Sequence, residues 1–322
     1  MSTPVLRHFL RDDDLSPTEQ ADVLALAAKM KAHPFAVRPL EGPRTVAVIS
    51  DKPTLRTQAS FAAGIAELGG YPMMVDGKLA QIGTRESVED TARVLGRQAA
   101  AIVWRTGDQS RIDAMAAHAG VPVVNSLTDQ FHPCQTLADL LTITEHLGPV
   151  AGRTLAFVGD AACNMGHSYV LAGTLAGMHV RVAAPDGYAP DPAIVARAAE
   201  IGRETGGSVE VHTDPAAAVA GADVVATDTW VSMGSEDQAA EREQVFASYQ
   251  VDQALLDRAS DQVIVLHCLP AYRGKEITAE VLDGPRSVIW DQAENRRHVQ
   301  KAVLAWLLAH AADAAAQPGE GP

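Results

Sequence analysis

Short apolar runs alternate along the chain with longer segments in which apolar side chains recur every three or four residues. The first pattern predicts buried β-strands, and the second predicts amphipathic helices. In the N-terminal half, the predicted strands are residues 45–50, 71–75, 100–104 and 121–125, and the predicted helices are residues 16–32, 61–68, 88–95 and 112–119. Strands that alternate with helices in this way are typical of a parallel sheet.

The same alternation begins again near residue 150. Here the predicted strands are residues 155–159, 179–184, 208–212, 224–227 and 263–266, and the predicted helices are residues 166–177, 193–205 and 215–220. A helix at 132–147 joins the halves, and a helix at 291–310 precedes a tail, 311–322, that we expect to be frayed. We therefore predict an α/β protein with two doubly wound parallel-sheet domains, 1–147 and 148–290, joined by interdomain helices.

One polar segment departs from this alternation. Residues 232–250 (SMGSEDQAAEREQVFASYQ) form a long insertion after the strand at 224–227. Loops of this length inside compact domains often act as lids over a binding site. A solvated charged helix or a disordered loop is the alternative interpretation.

Composition narrows the class of protein. The length of 322 residues fits two domains of ~150 residues. A hydrophobic content of 47% excludes a disordered chain. A net charge of −14 argues against a general nucleic-acid binder, which needs a basic face. It leaves open a small anionic ligand held by a few arginines.

The cysteines and the N-terminus bear on the compartment. Cys134, Cys163 and Cys268 stand far apart and form no C-x-x-C motif, so a disulfide scaffold is not expected. The first residues, MSTPVLRHFLRDDDLS, contain no apolar signal segment. We therefore expect a cytoplasmic protein with reduced thiols.

Ligands of doubly wound sheets bind beyond the carboxyl ends of the strands, so the residues that follow each strand are the candidates. Thr54 is a predicted N-cap, and the helix start that follows it, with Arg56 and Thr57, suits a phosphate; plain capping is the alternative. Arg105 is either a ligand clamp or a surface salt-bridge partner. His132 precedes Pro133 and is either a site residue or a structural histidine.

The second half offers a different set. The loop after the strand at 155–159 lacks the G-x-G-x-x-G fingerprint of dinucleotide sites and carries Asn164 instead. Asp228, at a strand end, is either a partner for a ligand ammonium or a turn former. A metal site is a competing interpretation, because several ligand-type side chains lie near strand ends: Cys163, Cys268, His132, His167 and His267. Only Cys163 and His167 have close spacing, which disfavours zinc.

Taken in order, the motifs of the chain resemble the aspartate/ornithine carbamoyltransferase family from about Arg7 to Leu308. The family's phosphate motif Ser-Thr-Arg-Thr-Arg is similar to Thr54-Leu55-Arg56-Thr57-Gln58. The other matches are Arg105-Thr106, His132-Pro133-Cys134-Gln135, Asp228-x3-Ser232-Met233-Gly234, His267-Cys268-Leu269-Pro270 and Glu294-Asn295-Arg296. Each motif is short, but the ordered set is specific.

The resemblance implies a carbamoyl-phosphate-binding first domain, on which the C-terminal helix packs back, an ornithine-binding second domain, and an active site in the cleft. The carbamoyl-phosphate-binding residues would be Thr54, Leu55, Arg56, Thr57, Gln81, Arg105, His132, Gln135, Cys268, Leu269 and Arg296. Of these, Thr57, Arg105, His132 and Cys268 would be catalytic. Arg105, His132 and Thr57 would meet the carbamoyl oxygen, while Gln135 and the carbonyls of Cys268 and Leu269 would hold its NH2 group.

The resemblance also implies the second substrate and the assembly. Asn164, Asp228, Ser232 and Met233 would bind ornithine, and residues 232–250 would close over it. Its δ-amine would attack carbamoyl phosphate to give citrulline and phosphate, as part of arginine metabolism, without a metal or organic cofactor. Gln81 would reach the site of a neighbouring subunit, so the homotrimer would be the catalytic unit.

Departures from the family pattern keep alternatives open. Leu55 and Gln58 replace a threonine and an arginine of the phosphate motif, and the second change removes a charge. A sibling enzyme that uses N-acetylornithine, putrescine or aspartate is the nearest alternative, although Ser232-Met233-Gly234 and His267-Cys268-Leu269-Pro270 favour an α-amino acid like ornithine. An NAD-dependent oxidoreductase would explain the βαβ units but not the missing glycine fingerprint.

Overall fold

The computed structural model describes residues 6–231 and 236–316. By their internal contacts the residues divide into two compact units, one of 1–134 with 294–322 and the other of 135–293. The sequence-based prediction placed the first domain boundary after residue 147. In the structure the boundary lies between residues 134 and 135, near the start of the helix Pro133–Leu147. Each unit contains its own parallel sheet.

The first unit is built on a four-stranded parallel sheet of order β2-β1-β3-β4. Its strands are β1 (Thr45–Ser50), β2 (Tyr71–Asp76), β3 (Ala101–Arg105) and β4 (Val123–Leu127). Its helices before residue 134 are α1 (Pro17–Ala32), α2 (Leu55–Glu67), α3 (Gly77–Ala80), α4 (Val88–Gly96) and α5 (Gln109–Ala119). The central strands β1 and β3 are buried almost throughout, which explains why they are continuous apolar runs.

One apolar cluster of this unit lies between the sheet and helices α4 and α5. Ile49 and Trp104 of the sheet pack with Ile112 and Met115 of α5, and all four side chains are fully buried. The large indole of Trp104 therefore anchors the end of β3, where Arg105 is the last residue. Burial of this cluster holds the carboxyl ends of β1 and β3 in a defined position.

The second unit is built on a five-stranded parallel sheet of order β7-β6-β5-β8-β9. Helix α6 (Pro133–Leu147) leads into it, and the strands are β5 (Thr154–Val158), β6 (His179–Ala183), β7 (Ser208–His212), β8 (Val224–Thr227) and β9 (Ile264–His267). The other helices are α7 (Asn164–Leu175), α8 (Pro192–Thr205), α9 (Pro215–Val219), α10 (Ala239–Phe246), α11 (Gln253–Leu256), α12 (Ala279–Leu282) and α13 (Ile289–Ala316), the last of which crosses the second boundary.

Both sheets contain a reversal of strand order. The chain leaves β1 for β2 on one side and returns to β3 on the other, and β5 stands in the same way between β6 and β8. Loops that leave the carboxyl ends of such a strand pair diverge and leave a crevice suited to a ligand. The reversal in the first sheet therefore exposes the start of α2 and the end of β3, and the reversal in the second exposes the start of α7 and the end of β8.

The segment predicted as a lid, a solvated helix or a disordered loop is largely folded. Residues 232–235 lie outside the described residues, but 236–250 form a 3-10 turn, helix α10 and a second 3-10 turn. Arg242, Phe246 and Tyr249 are buried. A solvated helix and a disordered loop are therefore wrong for 236–250, because this segment contributes rings to the core of the second unit.

Element ends differ from the prediction in ways that matter for the site. Arg105 and His267 are the last residues of β3 and β9 rather than the first residues beyond them. Helix α13 continues to Ala316, so the predicted frayed tail is helical over 311–316, where alanine predominates, and 317–322 lie outside the described residues. Across 6–231 and 236–316, none of the helices combines the length and apolarity needed to cross a lipid bilayer.

Candidate active site

The loop after β1 leads into α2 and forms the first part of the site. Thr54 is the N-cap residue of α2, and among the described residues its hydroxyl makes no capping hydrogen bond to the helix. The predicted N-cap position of Thr54 is therefore confirmed, but capping by its hydroxyl, the alternative to a phosphate site, is not observed. Leu55 is the first helical residue, its side chain is 80% exposed, and backbone N–H groups in the first turn of a helix have no acceptor within the helix. Gln58 is also exposed.

Thr57 and Arg296 are joined by a buried hydrogen bond. The Arg296 Nη2 atom donates to Thr57 Oγ1 at 3.1 Å, and both side chains are almost inaccessible to solvent. Thr57 lies on the first turn of α2, whereas Arg296 lies on α13, far away in sequence. The contact brings a second guanidinium to the end of α2 that already carries Arg56.

His132 lies at the centre of this positive charge. It is buried, and the lowering of its pKa well below the ordinary value comes first from burial and then from the charges of Arg296, Arg105 and Arg56. The imidazole is therefore neutral at physiological pH, with one nitrogen that donates and one that accepts. Arg105 is also buried, which rules out the surface salt bridge considered from the sequence. The structure thus brings the predicted Thr57, Arg56, Arg105, His132 and Arg296 together.

Cys134 is a structural member of its motif. Its thiol donates to the carbonyl oxygen of Asn125 at 3.4 Å, and burial raises its pKa to about 12. A thiol with so high a pKa stays protonated and is a poor nucleophile. The chemistry of this motif therefore belongs to its other polar residues.

Asp51 was missed by sequence reasoning although it follows β1 directly. Its carboxylate accepts hydrogen bonds from Trp104 Nε1 at 3.0 Å and Thr106 Oγ1 at 2.7 Å, and it pairs with Arg111 at 3.3 Å. A Cβ atom at Gly77 would lie 1.9 Å from Asp51 Oδ1, so only glycine fits there. This carboxylate braces the residues on either side of Arg105.

Gln81 lies on an open cleft of about 570 Å³ in the first unit, which Asp51, Lys52 and Arg111 also line. It ends helix α3 in the left-handed conformation, with φ at 54°. Within residues 6–231 and 236–316, the hydrogen bonds of Gln81 are backbone contacts around its own turn, with Gly77, Lys78, Thr84 and Arg85. Its predicted role across a subunit boundary stays a prediction.

In the second unit, Asn164 begins helix α7 directly after β5. The turn between them is tight, since a Cβ atom at Gly166 would lie 2.2 Å from the carbonyl oxygen of Ala161. Asp160, just before this turn, accepts a hydrogen bond from the backbone of Ala162 and pairs with Arg242 of α10. Asn164 thus lies at a helix start, four residues after this paired carboxylate.

Arg242 was also missed, since it lies in the segment that appeared polar and solvated. Its Nε atom donates to the carbonyl oxygen of Trp230 at 2.5 Å, and its guanidinium stacks over the rings of Tyr188 and Phe246. Together with Asp160, these contacts fix the backbone that leads into residues 232–235. Ser232 and Met233 themselves lie outside the described residues, so their predicted role stays a prediction.

Asp228 and Cys268 meet at the ends of β8 and β9. Asp228 Oδ1 accepts from the backbone of Thr229 at 2.8 Å and from the thiol of Cys268 at 3.3 Å. Burial raises the pKa of Asp228, and the hydrogen bonds from Thr229 and Cys268 oppose part of that shift. The structure thus brings Asp228 and Cys268 together at a carboxyl group whose protonated form is favoured by burial.

His267 orders the turn that contains Cys268 and Leu269. Its Nδ1 atom accepts from the Leu269 N–H at 2.9 Å, and its Nε2 atom therefore donates to buried Glu276 at 3.1 Å. His267, Asp228 and Cys268 have ligand-type atoms within 4.8 Å of one another. Both imidazole nitrogens are already engaged, however, which argues against His267 as a metal ligand. Nothing in the sequence pattern indicated Glu276.

The neutral state of His132 makes the stability of the protein depend on pH. Below the ordinary histidine pKa of about 6.5, the unfolded chain takes up a proton that the folded chain does not, so this group's contribution is lost as pH falls, by at most about 1.4 kcal/mol per pH unit. We therefore expect the free energy of unfolding, measured in urea, to fall less between pH 7.5 and pH 5.5 in His132→Gln than in the wild type. His33→Gln, at the exposed end of α1, is the matched control. An NMR titration that shows His132 protonating above pH 6.5 would contradict this.

Two family models cover most of the chain. Residues 7–145 match the carbamoyl-P binding domain, and residues 151–307 match the Asp/Orn binding domain, of aspartate/ornithine carbamoyltransferase. The ornithine carbamoyltransferase of Clavibacter michiganensis subsp. michiganensis is 61% identical over 94% of this chain and 98% of its own. That of Mycobacterium ulcerans is 58% identical over 94% of this chain and 99% of its own.

Solved structures agree with the sequence relatives. The ornithine carbamoyltransferase of Pyrococcus furiosus has a TM-score of 0.90 and 42% identity over 95% of this chain and 98% of its own. That of Gloeobacter violaceus has a TM-score of 0.85 and 44% identity over 94% of this chain and 98% of its own. The match extends through both parallel sheets and includes the residues around His132 and Asp228. This chain therefore belongs to the aspartate/ornithine carbamoyltransferase family.

Proposed function

We propose that this chain transfers the carbamoyl group of carbamoyl phosphate to the δ-amine of L-ornithine and releases L-citrulline and phosphate. The observation that carries the proposal is the convergence of three guanidinium groups on a buried, neutral histidine in a chain of net charge −14. Such a local positive site suits a small phosphorylated substrate. The relatives named as ornithine carbamoyltransferases support ornithine as the acceptor.

In this proposal the first unit binds the phosphate group. Thr54, Thr57 and the Leu55 amide lie at the start of α2, where free N–H groups and the helix dipole favour an anion. Arg56, Arg105 and Arg296 supply the compensating charge. Leu55 in place of the family's threonine leaves the amide intact, and the exposure of Gln58 supports a peripheral place for that departure.

The same cluster explains the chemistry. When the amine attacks the carbamoyl carbon, negative charge develops on the carbamoyl oxygen, and Arg105, His132 and Thr57 are the fixed donors proposed to stabilise it. A neutral imidazole can donate one N–H without the repulsion that an imidazolium would add among three guanidiniums. Loss of one such donor typically costs about 3–4 kcal/mol of transition-state stabilisation. The C–O bond then breaks, its electron pair leaves with phosphate, and the attacking nitrogen loses one proton to give the neutral ureido group of citrulline.

The second unit would hold the acceptor. The Asp228 carboxylate, whose pKa burial raises, would gain a cationic partner in the α-ammonium group of ornithine. Asn164, Ser232 and Met233 would contact the rest of the amino acid. Gln135 and the carbonyl oxygens of Cys268 and Leu269 would accept hydrogen bonds from the amino group of carbamoyl phosphate, and Cys268 would thereby take part in catalysis.

Homotrimeric assembly and cytoplasmic location complete the proposal. Exposed apolar side chains lie on β2 and α3, close in sequence to Gln81: Tyr71, Met74 and Leu79. A partner subunit that covers them would explain their exposure in a single chain. Cys134, Cys163 and Cys268 are free thiols, as is typical of a reducing compartment.

Acceptor choice tests the proposed reaction. We expect citrulline and phosphate from ornithine at a kcat/KM at least about a hundredfold above that for N-acetylornithine, putrescine or aspartate, because buried polar groups left unpaired by the wrong ligand are costly. Colorimetric detection of the carbamoylated product with each amine, against a no-enzyme control, measures this. No product with ornithine would overturn the proposal, and a better rate with another amine would reassign the acceptor.

The two units are expected to respond to separate substitutions. Arg56→Ala removes charge from the phosphate site and should raise the KM for carbamoyl phosphate at least about tenfold. Asp228→Asn removes the carboxylate proposed for the ornithine ammonium and should raise the KM for ornithine instead. Arg93→Ala and Asp214→Asn, on exposed surfaces, are the matched controls. Equal effects of either substitution on both substrates would contradict the division.

Subunit mixing tests the role of Gln81. Gln81→Ala and Arg105→Ala proteins are each expected to have low activity, but hybrids formed by dissociation and reassembly should regain activity well above the sum of the two. The reason is that a hybrid interface combines an intact Arg105 with an intact Gln81 from its neighbour. Mixing Arg105→Ala with His132→Ala, whose lesions lie in one unit, should give no recovery. Activity that remains at the sum in the first mixture would place Gln81 in its own subunit's site.

A further inference from the structure

A buried carboxylate in the second unit joins two glutamine side chains. Asp139 lies on α6, one turn beyond Gln135, and is almost inaccessible to solvent. Its Oδ1 atom accepts from Gln135 Nε2 at 2.8 Å and from Gln292 Nε2 at 2.7 Å. Gln135 and Gln292 are also buried, so both amides are held away from water.

These contacts fix which way each amide faces. A carboxamide has a donating and an accepting side, and the two are distinguished by the partners they meet. Because the NH2 group of Gln135 faces Asp139, its carbonyl oxygen lies on the opposite side of the amide. A carboxylate oxygen is a stronger acceptor than a neutral oxygen, so the reversed amide is disfavoured.

The side-chain amide of Gln292 is oriented by the same carboxylate and contacts the backbone of His267. The Gln292 NH2 group faces Asp139, and its Oε1 atom accepts from the backbone N–H of His267 at 2.9 Å. His267 in turn accepts from the N–H of Leu269, a non-glycine residue in the left-handed region with φ at 60°. An uncommon backbone conformation of this kind persists only where the surrounding contacts impose it.

Tyr169 provides a neutral neighbour for the carboxylate. Burial and the nearby Asp139 raise its pKa well above the ordinary value, so the phenol keeps its proton. Asp139 therefore has two amide groups and a protonated phenol among its neighbours.

We propose that Asp139 is a positioning residue that selects the amino group of carbamoyl phosphate. Through Gln135 it presents an amide oxygen, and through Gln292 and His267 it holds the turn whose Cys268 and Leu269 carbonyls are the other proposed acceptors. The inference rests on the proposed function and deepens it. An amino group with two N–H donors is matched by acceptors, whereas a methyl group in the same place leaves those acceptors without a partner.

Acetyl phosphate is the probe, because it carries a methyl group where carbamoyl phosphate carries NH2. Equilibrium dissociation constants for carbamoyl phosphate, acetyl phosphate and inorganic phosphate are measured without ornithine on the full-length protein. We expect the wild type to prefer carbamoyl over acetyl phosphate and Asp139→Leu to lose roughly tenfold to a hundredfold of that preference. The affinity for inorganic phosphate should change less than about twofold, and Asp139→Asn, which keeps an acceptor oxygen, should restore most of the preference.

Gln292→Met provides a second measurement if Asp139→Leu does not fold. It removes both the donor to Asp139 and the acceptor for His267, and it should also lower the preference. Thr142→Val is the matched control, since it removes a buried hydroxyl of the same helix that donates to the carbonyl of Ala138. We expect this variant to keep the wild-type ratio.

The outcomes separate the inference from the proposal beneath it. Gln135→Met should lower the carbamoyl-to-acetyl preference if Gln135 contacts the amino group at all. If it does so but Asp139→Leu or Gln292→Met keeps the ratio, the positioning role is wrong and the proposed function stands. If Gln135→Met leaves the ratio unchanged, the proposed contact itself is wrong. Equal weakening of all three ligands by Asp139→Leu would mark a merely structural residue and would also overturn the inference.

Discussion

The concentration of positive charge around His132 is the constraint on which the first unit depends. Arg105 and Arg296 are buried, and a buried guanidinium is costly unless its hydrogen bonds and charge are matched. The fold meets part of this demand with fixed partners such as Thr57, while Asp51 braces the residues on either side of Arg105. The remaining positive field explains how an acidic chain can recognise a phosphorylated substrate.

The second unit depends on hydrogen bonds between its buried polar side chains. Its polar residues form hydrogen-bonded chains in which each donor meets an acceptor: Arg242 with Asp160, His267 with Glu276, and two glutamines with Asp139. Such networks restrict amide flips and histidine tautomers, so they fix the direction in which the remaining atoms point. Orientation rather than charge is therefore the main contribution of this unit.

Much of the fold was predictable because its central strands are buried on both faces and appear as continuous apolar runs between helices. The candidate site was predictable to the extent that its residues end a strand or follow one directly, as Arg105 and Asp228 respectively illustrate. Asp139, Glu276 and Arg242 were missed, because each lies inside or beyond an element and gains its role from a distant partner. Arg242 appeared to belong to a polar insertion, because the sequence does not reveal its pairing with Asp160. That pairing permits the burial of its charged side chain.

The sequence by itself determined the alternation of strands and helices, the order of the motifs and the family that they resemble. Those features are local, and side-chain periodicity and short motifs encode them directly. Only the tertiary structure decided that Arg296 meets Thr57, that His132 is neutral, and that one carboxylate sets two amides. These properties depend on burial and on contacts between residues far apart in the chain, where a change of dielectric and of partner alters both protonation and orientation.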